Sequence, residues 1–330
     1  MKVLLINSDE GPDYLADLVN YFFITHKYEV FTNHNMDYLF DDFQNTSNLY
    51  GKGFTLYGKI NRDLKSTATI LTEAAILDML PSFDIVIFTS IHRTYKGQSV
   101  KSKYFYKFSK KLKTKDIIVL DGEDFNDIDN DIASLSNYFK RELTDKNKNK
   151  ANSISFSFPE FEFFSDNNFK KTQILAPMDP RFQNSYIFNE NEYFEQYRRS
   201  IFGVTTKKAG WDCLRHYEIL STNTLLYFPG IEDKPSLTME HFPVKMQLEI
   251  NKLFLKLISS YENLDSLEKI RLNYYSKKIH LRAIKKVKRK MSSLHLIENN
   301  FKNLENLNKD MNQWFINFGT SKIYQSIFKI

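Results

Sequence analysis

Short apolar runs alternate with longer amphipathic segments along the first half of the chain. The apolar runs predict buried strands at residues 3–7, 29–32, 84–90 and 116–121. In the segments between them, apolar residues recur every three or four positions, which predicts helices at residues 14–23, 70–80 and 102–112. Strands that alternate with helices in this way are typical of βαβ units in a parallel sheet.

The second half of the chain repeats the alternation. Strands are predicted at residues 153–158, 172–176 and 224–228, helices at 192–200 and 212–220, and only helix from residue 245 onward. Residues 140–150 are polar and low in complexity, and we interpret them as a boundary. The fold class predicted is α/β, with two Rossmann-like domains at 1–145 and 146–262 facing a cleft, and a basic helical extension at 263–330.

Length and composition agree with this division. The 330 residues are enough for two domains, and 29 Phe and 19 Tyr can build a large core. The single cysteine, Cys213, excludes an internal disulfide and favours a reducing compartment. The sequence contains no run of about 18 apolar residues, the length needed to span a bilayer, and the apolar stretch at residues 1–7 is too short for a secretory signal. We therefore expect a cytoplasmic protein.

The net charge of +6 is concentrated in residues 276–290, where nine of fifteen residues are Lys, Arg or His. The spacing of the apolar residues predicts an amphipathic helix. One interpretation is a helix packed on the domain with a solvated cationic face; the other is attachment to an anionic membrane at the inner face. Nucleic-acid binding is not expected, because zinc, RRM and KH patterns are missing and acidic loops would line the cleft.

Residues 200–230 contain the strongest candidate for chemistry. A predicted strand leads into a loop with Lys207, Lys208 and Gly210, and then into a helix with Arg215 and Glu218. A spacing of three residues places Arg215 and Glu218 on one face of that helix. The amides of the helix start and the three cations would bind a diphosphate, and the carboxylate would accept hydrogen bonds from ribose hydroxyls.

The run Gly-Trp-Asp-Cys-Leu-Arg-His-Tyr-Glu-Ile-Leu at 210–220, followed by a strand and Pro-Gly at 229–230, resembles the donor-site signature of GT-B glycosyltransferases. Within that family, the run is most similar to bacterial spore-maturation-like and exostosin-like forms. Residues 13–18 and 50–57 of this chain also resemble these forms. The resemblance extends to about residue 245. It implies that Glu218 holds the nucleotide ribose and that the basic residues before it hold the diphosphate. Retaining members have a second Glu eight residues earlier, where this chain has Gly210, so retention and inversion both stay open.

The loop after the first strand is acidic and lacks the Gly-x-Gly-x-x-Gly pattern, so a dinucleotide site there is not expected. Its carboxylates, Asp9, Glu10 and Asp13, are candidates for the general base that deprotonates an acceptor hydroxyl, as is His92 after another strand. Asp13 is equally suited to cap a helix. The carboxylates at 121–124 also suit Mg²⁺, but the cations of the second half favour a mechanism without metal.

These patterns predict a glycosyltransferase that moves a sugar from a nucleotide diphosphate donor to a glycan or another hydroxyl acceptor, in surface polysaccharide or glycoconjugate assembly. No cofactor is expected besides the nucleotide sugar, which is a substrate. The alternative is a non-catalytic protein on the same scaffold, which binds a sugar or nucleotide or docks on a membrane.

Overall fold

The structure, a computed structural model, describes residues 1–8, 12–44, 57–95, 97–159, 171–181, 189–261, 298–316 and 325. Asp9, Glu10 and the segments 50–56 and 276–290 lie outside the described residues. Within the described residues the chain is an α/β protein with a seven-stranded parallel sheet. No helix among the described residues is long and apolar enough to cross a membrane.

The strands of the chain, in order, are β1 (Lys2–Ile6), β2 (Glu29–Thr32), β3 (Ala68–Ile70), β4 (Ile85–Phe88), β5 (Thr94–Tyr95), β6 (Gln98–Ser99), β7 (Ile117–Asp121), β8 (Asn137–Lys140), β9 (Asn152–Ser153), β10 (Gln173–Leu175), β11 (Ser200–Val204) and β12 (Leu225–Tyr227). The first sheet has the order β3-β2-β1-β4-β7-β8-β9, and each neighbouring pair is parallel. Its order reverses between β1 and β4, as in doubly wound sheets that bind ligands at this switch point.

A second sheet is formed by β10, β11 and β12, which are also parallel. The helices are α1 (Tyr14–Thr25), α2 (Glu73–Met79), α3 (Tyr106–Ser109), α4 (Asn130–Ser134), α5 (Glu190–Arg198), α6 (Leu214–Ser221), α7 (Val244–Tyr261) and α8 (Glu298–Ile316). In the segment 102–112, where a helix is predicted, the α-helix α3 covers only four residues, and a π-helical turn over Lys101–Phe105 precedes it.

Side chains of β1 alternate between two hydrophobic clusters, which explains its uninterrupted apolar sequence. Leu4 and Ile6 pack in a cluster on one face of the first sheet. Val3 and Leu5 on the other face belong to a cluster that continues through α1 into the second sheet. The two sheets therefore share one apolar core on the α1 side.

The predicted divisions at residues 145 and 263 stay predictions, and two contacts cross them. Strand β9 pairs with β8 and so extends the first sheet beyond residue 145. Helix α8 packs on α6 and α7, with Met311 and Phe315 buried, and the Asn312 amide donates to Asn223 Oδ1 at 2.8 Å. At least this helix of the C-terminal extension belongs to the core of the second half.

Candidate functional site

A cavity of about 660 Å³ lies where loops that follow strands of the two sheets meet. The first sheet contributes residues after β1, β4, β7 and β8, and the second contributes residues after β10 and β11, together with parts of α5 and α6. Ligands of open parallel sheets bind at the carboxyl ends of the strands. This cavity is therefore the candidate site.

Glu218 lies on α6 and lines the cavity with only 5% of its surface exposed. Its Oε2 accepts a hydrogen bond of 2.7 Å from the Tyr193 hydroxyl, which projects from α5. Tyr193 lines the cavity as well. The contact fixes the carboxylate at the wall of a confined space, where it is suited to bind the hydroxyls of a ligand.

Lys208 and Arg215 also line the cavity. The pKa of Lys208 is lowered, first by partial burial and then by the positive charge of Arg215. Two cations near each other in a cavity are suited to an anionic ligand. Lys207, which is exposed like Lys208, is not part of the cavity lining, and its ammonium lies 5.4 Å from the Trp211 ring centroid.

Gly210 lines the cavity, and close packing explains the absence of a side chain there. A Cβ at this position would lie 2.6 Å from both Asp124 Oδ1 and Glu142 Oε1. Cβ atoms do not approach other heavy atoms so closely, so alanine would force either the loop or these two carboxylates to shift. The structure thus gives Gly210 a packing role that the sequence did not predict.

The amides just before α6 are already occupied. The Trp211 and Asp212 N–H groups donate to the two carboxylate oxygens of Glu142 at 3.1 and 3.0 Å. These two amides are not available to a diphosphate while this contact holds. Any anion at this end of α6 depends on Lys208, Arg215 and the amides of the first helical turn.

Asp13 caps α1 and also lines the cavity. Its Oδ1 accepts from the Leu15 and Ala16 N–H groups, each at 3.0 Å. Its Oδ2 accepts from the Ser90 hydroxyl at 2.9 Å and lies 3.3 Å from Arg93 Nη2. A substrate hydroxyl would have to displace one of these donors, so the observed contacts favour the capping interpretation.

His92 lies outside the cavity lining, against a buried cluster at the ends of β7 and β8. Its Nε2 is 3.3 Å from Asp121 Oδ2, which also accepts from the Tyr138 hydroxyl at 2.6 Å. Lys140 Nζ donates to Asp121 Oδ1 at 2.8 Å, and both side chains are completely buried. Burial alone would raise the pKa of Asp121, but the bonds from His92, Lys140 and Tyr138 outweigh it and the pKa is lowered.

Metal binding by the carboxylates at 121–124 is not favoured by these contacts. Asp121 is the counter-ion of Lys140, and Asp124 pairs with Arg141. Among the described residues, no group of three or more His, Cys, Asp and Glu side chains is arranged to hold a metal ion.

Arg141 is the main site residue that the sequence did not reveal. It lines the cavity with 2% of its surface exposed, and its Nε donates to the Gly122 carbonyl at 2.9 Å. Its guanidinium also binds Asp124, Glu142 and the Asp212 carbonyl, and stacks 4.8 Å from the Phe156 ring centroid. The signal was present: three consecutive charged residues directly follow the Tyr-Phe pair of β8, at a carboxyl end. Their polarity instead suggested a boundary.

Burial shifts the pKa values of three titratable residues in and before α6 in the direction that favours the uncharged form. Burial raises the pKa of Asp212 to about 7 despite Arg141, and raises the pKa of Cys213 to about 11. Burial lowers the pKa of His216 to about 3, so its ring is neutral. The ring bridges the Thr205 hydroxyl and the Trp211 carbonyl, each at 2.8 Å. His216 is therefore a structural residue and Cys213 an unreactive thiol.

Comparisons with protein-family profiles, with curated proteins and with solved structures found no match for this chain. We therefore infer the function from the geometry and charge of the cavity.

Proposed function

We propose that the protein is a glycosyltransferase of the GT-B type, which transfers a sugar from a nucleotide diphosphate donor to a hydroxyl acceptor. The observation that carries the proposal is one cavity at the carboxyl ends of two parallel sheets, with Lys208, Arg215 and Glu218 together on the side of the second sheet. In this proposal the two sheets are the cores of two Rossmann-like domains, and the cavity is the cleft between them.

The donor would lie against α6. Lys208 and Arg215 would bind the diphosphate, and Glu218, oriented by Tyr193, would bind the ribose hydroxyls. When the sugar leaves, negative charge develops on the diphosphate, and fixed cations stabilise that charge more in the transition state than before it. This mechanism uses side chains of the chain itself and needs no separate cofactor.

The acceptor would lie against the first sheet, where Asp13, Glu123 and Asp124 line the cavity. Carboxylates that accept hydrogen bonds suit a neutral molecule with several hydroxyls, such as a glycan, because hydroxyls donate as well as accept. We place the enzyme in the cytoplasm, at the inner face of the membrane, in the assembly of a surface polysaccharide or glycoconjugate.

Calorimetric titration with UDP, GDP, CDP and dTDP tests the donor site. We expect wild-type protein to bind one of the four selectively, and Glu218→Gln to weaken that binding by about 10- to 100-fold, since it removes bonds to a charged group. Glu249→Gln, at an exposed position of α7, is the matched control and should bind as wild type does. Failure of all four nucleotides to bind would contradict the proposal.

One observation favours the alternative of a binding protein without transferase activity. Among the described candidates for the general base, Asp13 is fully engaged as a cap and His92 lies outside the cavity lining. Hydrolysis of the selected nucleotide sugar without acceptor separates the two functions. A transferase releases nucleotide diphosphate slowly under these conditions, whereas a binding protein leaves the donor intact.

A further inference from the structure

The second sheet does not shape its side of the cavity alone. Arg141 and Glu142 directly follow β8 of the first sheet, and 2% and 4% of their surfaces are exposed. Both side chains reach the loop that precedes α6. Arg141 Nε donates to the Gly122 carbonyl, while its Nη1 donates to the Asp212 carbonyl. One guanidinium thus joins a loop of the first sheet to a loop of the second.

Glu142 holds the same loop by its backbone amides. Its Oε2 accepts from Trp211 at 3.1 Å, and its Oε1 accepts from Asp212 at 3.0 Å and from Arg141 Nη1 at 2.9 Å. Hydrogen bonds to a carboxylate are stronger than those between neutral groups, and two amides on one carboxylate fix the direction of the chain. The chain then continues directly into the first turn of α6.

Two further contacts complete this attachment. Gly210 packs so closely on Asp124 and Glu142 that a Cβ would overlap both carboxylates. The Asp212 carboxylate accepts from the Phe156 N–H at 2.6 Å, and the Phe156 ring lies under Arg141. Residues between 122 and 156 therefore hold the loop in place. Lys208, before Gly210, and Arg215, after Asp212, both line the cavity.

We propose that Arg141 and Glu142 are positioning residues, which hold the 208–212 loop and the start of α6 so that Lys208, Arg215 and Glu218 line one wall. The site on the second sheet is complete only when the first sheet contacts it. Nucleotide binding by this wall rests on the proposed function. The attachment of the loop by Arg141 and Glu142 does not depend on that proposal.

Hydrogen exchange measured by mass spectrometry on the full chain tests the positioning. Glu142→Gln keeps the shape of the side chain but replaces one accepting oxygen with an NH₂ group, which cannot accept an amide hydrogen bond. The remaining oxygen should face Arg141 and Asp212, so that the Trp211 amide loses its acceptor. We expect this amide to exchange about tenfold faster, with β1 and β4 unchanged. Glu195→Gln, which removes the partner of Arg199 on the surface of α5, is the matched control and should leave the loop as in wild type.

Unchanged exchange at residue 211 would overturn the inference. An equal acceleration throughout the first sheet would overturn it as well, since it would show general destabilisation. Gly210→Ala decides the question if Glu142→Gln does not fold, because the added methyl would overlap the Asp124 and Glu142 carboxylates and so separate the loop from Glu142. It should accelerate exchange at amides 211 and 212, and normal exchange there would contradict the inference.

Calorimetry with the nucleotide that wild type selects among UDP, GDP, CDP and dTDP adds the functional readout. Glu142→Gln should weaken binding about tenfold and Glu195→Gln should not. Equal affinity in both variants would overturn the role of Glu142 in completing the site. If wild type binds none of the four nucleotides, the proposed function fails, and the exchange experiment still decides the positioning.

Discussion

Two charge-rich regions lie at carboxyl ends of strands in this protein, and their charges are used differently. The buried cluster, formed by His92, Asp121, Tyr138 and Lys140, places its charges in contact with each other, and its Asp121 and Lys140 side chains are completely buried. The cavity face, formed by Lys208, Arg215 and Glu218, directs its charged residues towards a space large enough for a ligand. Position at a strand end is therefore not sufficient to identify a site; the partners of each charge decide.

The largest expected effect is on the buried cluster. Lys140→Met removes the ammonium and leaves the Asp121 carboxylate buried, and we expect a loss of roughly 3–5 kcal/mol in the free energy of unfolding. Lys208→Met on the cavity face should change it by less than about 0.5 kcal/mol. Urea denaturation of both variants measures the difference.

The double variant Asp121→Asn with Lys140→Met is the control for this prediction. It removes both charges, so it should recover much of the stability lost in the single variant. Similar destabilisation by Lys140→Met and Lys208→Met would remove the distinction between the two regions.

A pH-dependent effect is expected from Asp212, which lines the cavity just before α6. Its pKa is about 7 in the folded protein because of burial, against about 4 in an unfolded chain. The folded state binds the proton more tightly, so this carboxyl lowers the stability of wild type progressively from about pH 4 to about pH 7. Asp212→Asn does not titrate, and relative to wild type it should gain roughly 2–4 kcal/mol between pH 4 and pH 8. Urea denaturation of both proteins across this pH range measures the effect. A difference in unfolding free energy between Asp212→Asn and wild type that does not change with pH would contradict the raised pKa of Asp212.

Arg215→Ala tests whether the cavity face is a binding surface. The variant should weaken binding of the selected nucleotide diphosphate by roughly 1.5–3 kcal/mol, the range for hydrogen bonds to charged groups, and change the melting temperature much less. Calorimetry and thermal unfolding on the same samples measure both quantities. Full affinity in the variant would move the proposed site away from α6.

The smallest effect is expected at Asp13. Serine is also a good N-cap, so Asp13→Ser should keep the free energy of unfolding within about 1 kcal/mol of wild type. If Asp13 only caps α1, donor turnover should stay within about tenfold, whereas loss of a general base lowers it by roughly 10²–10⁴. A fall of that size with unchanged stability would assign the catalytic role to Asp13.

Apolar runs predicted β1, β4 and β7, because a strand buried on both faces requires hydrophobic residues at every position. They missed β3 and β8, and of the strand predicted at 153–158 only the start is observed, in β9. Strand β2 has the predicted bounds, and α6 begins within two residues of the prediction. The interpretation of 140–150 as a boundary missed three buried side chains, Lys140, Arg141 and Glu142. A charged residue can be buried only against a partner, and their partners Asp121, Gly122 and Trp211 are distant in sequence.

By itself, the sequence determined much of the alternation of strands and helices, though not β3, α4 or β8. It also placed Arg215 and Glu218 on one face of a helix, since this follows from periodicity along the chain. Tertiary structure decided which charges line the cavity and which are bound by other residues. Glu142 accepts from Trp211 across 69 positions, and Asp13 accepts from Ser90 across 77. Contacts of this kind form only when the strands pack side by side, and no local pattern encodes them.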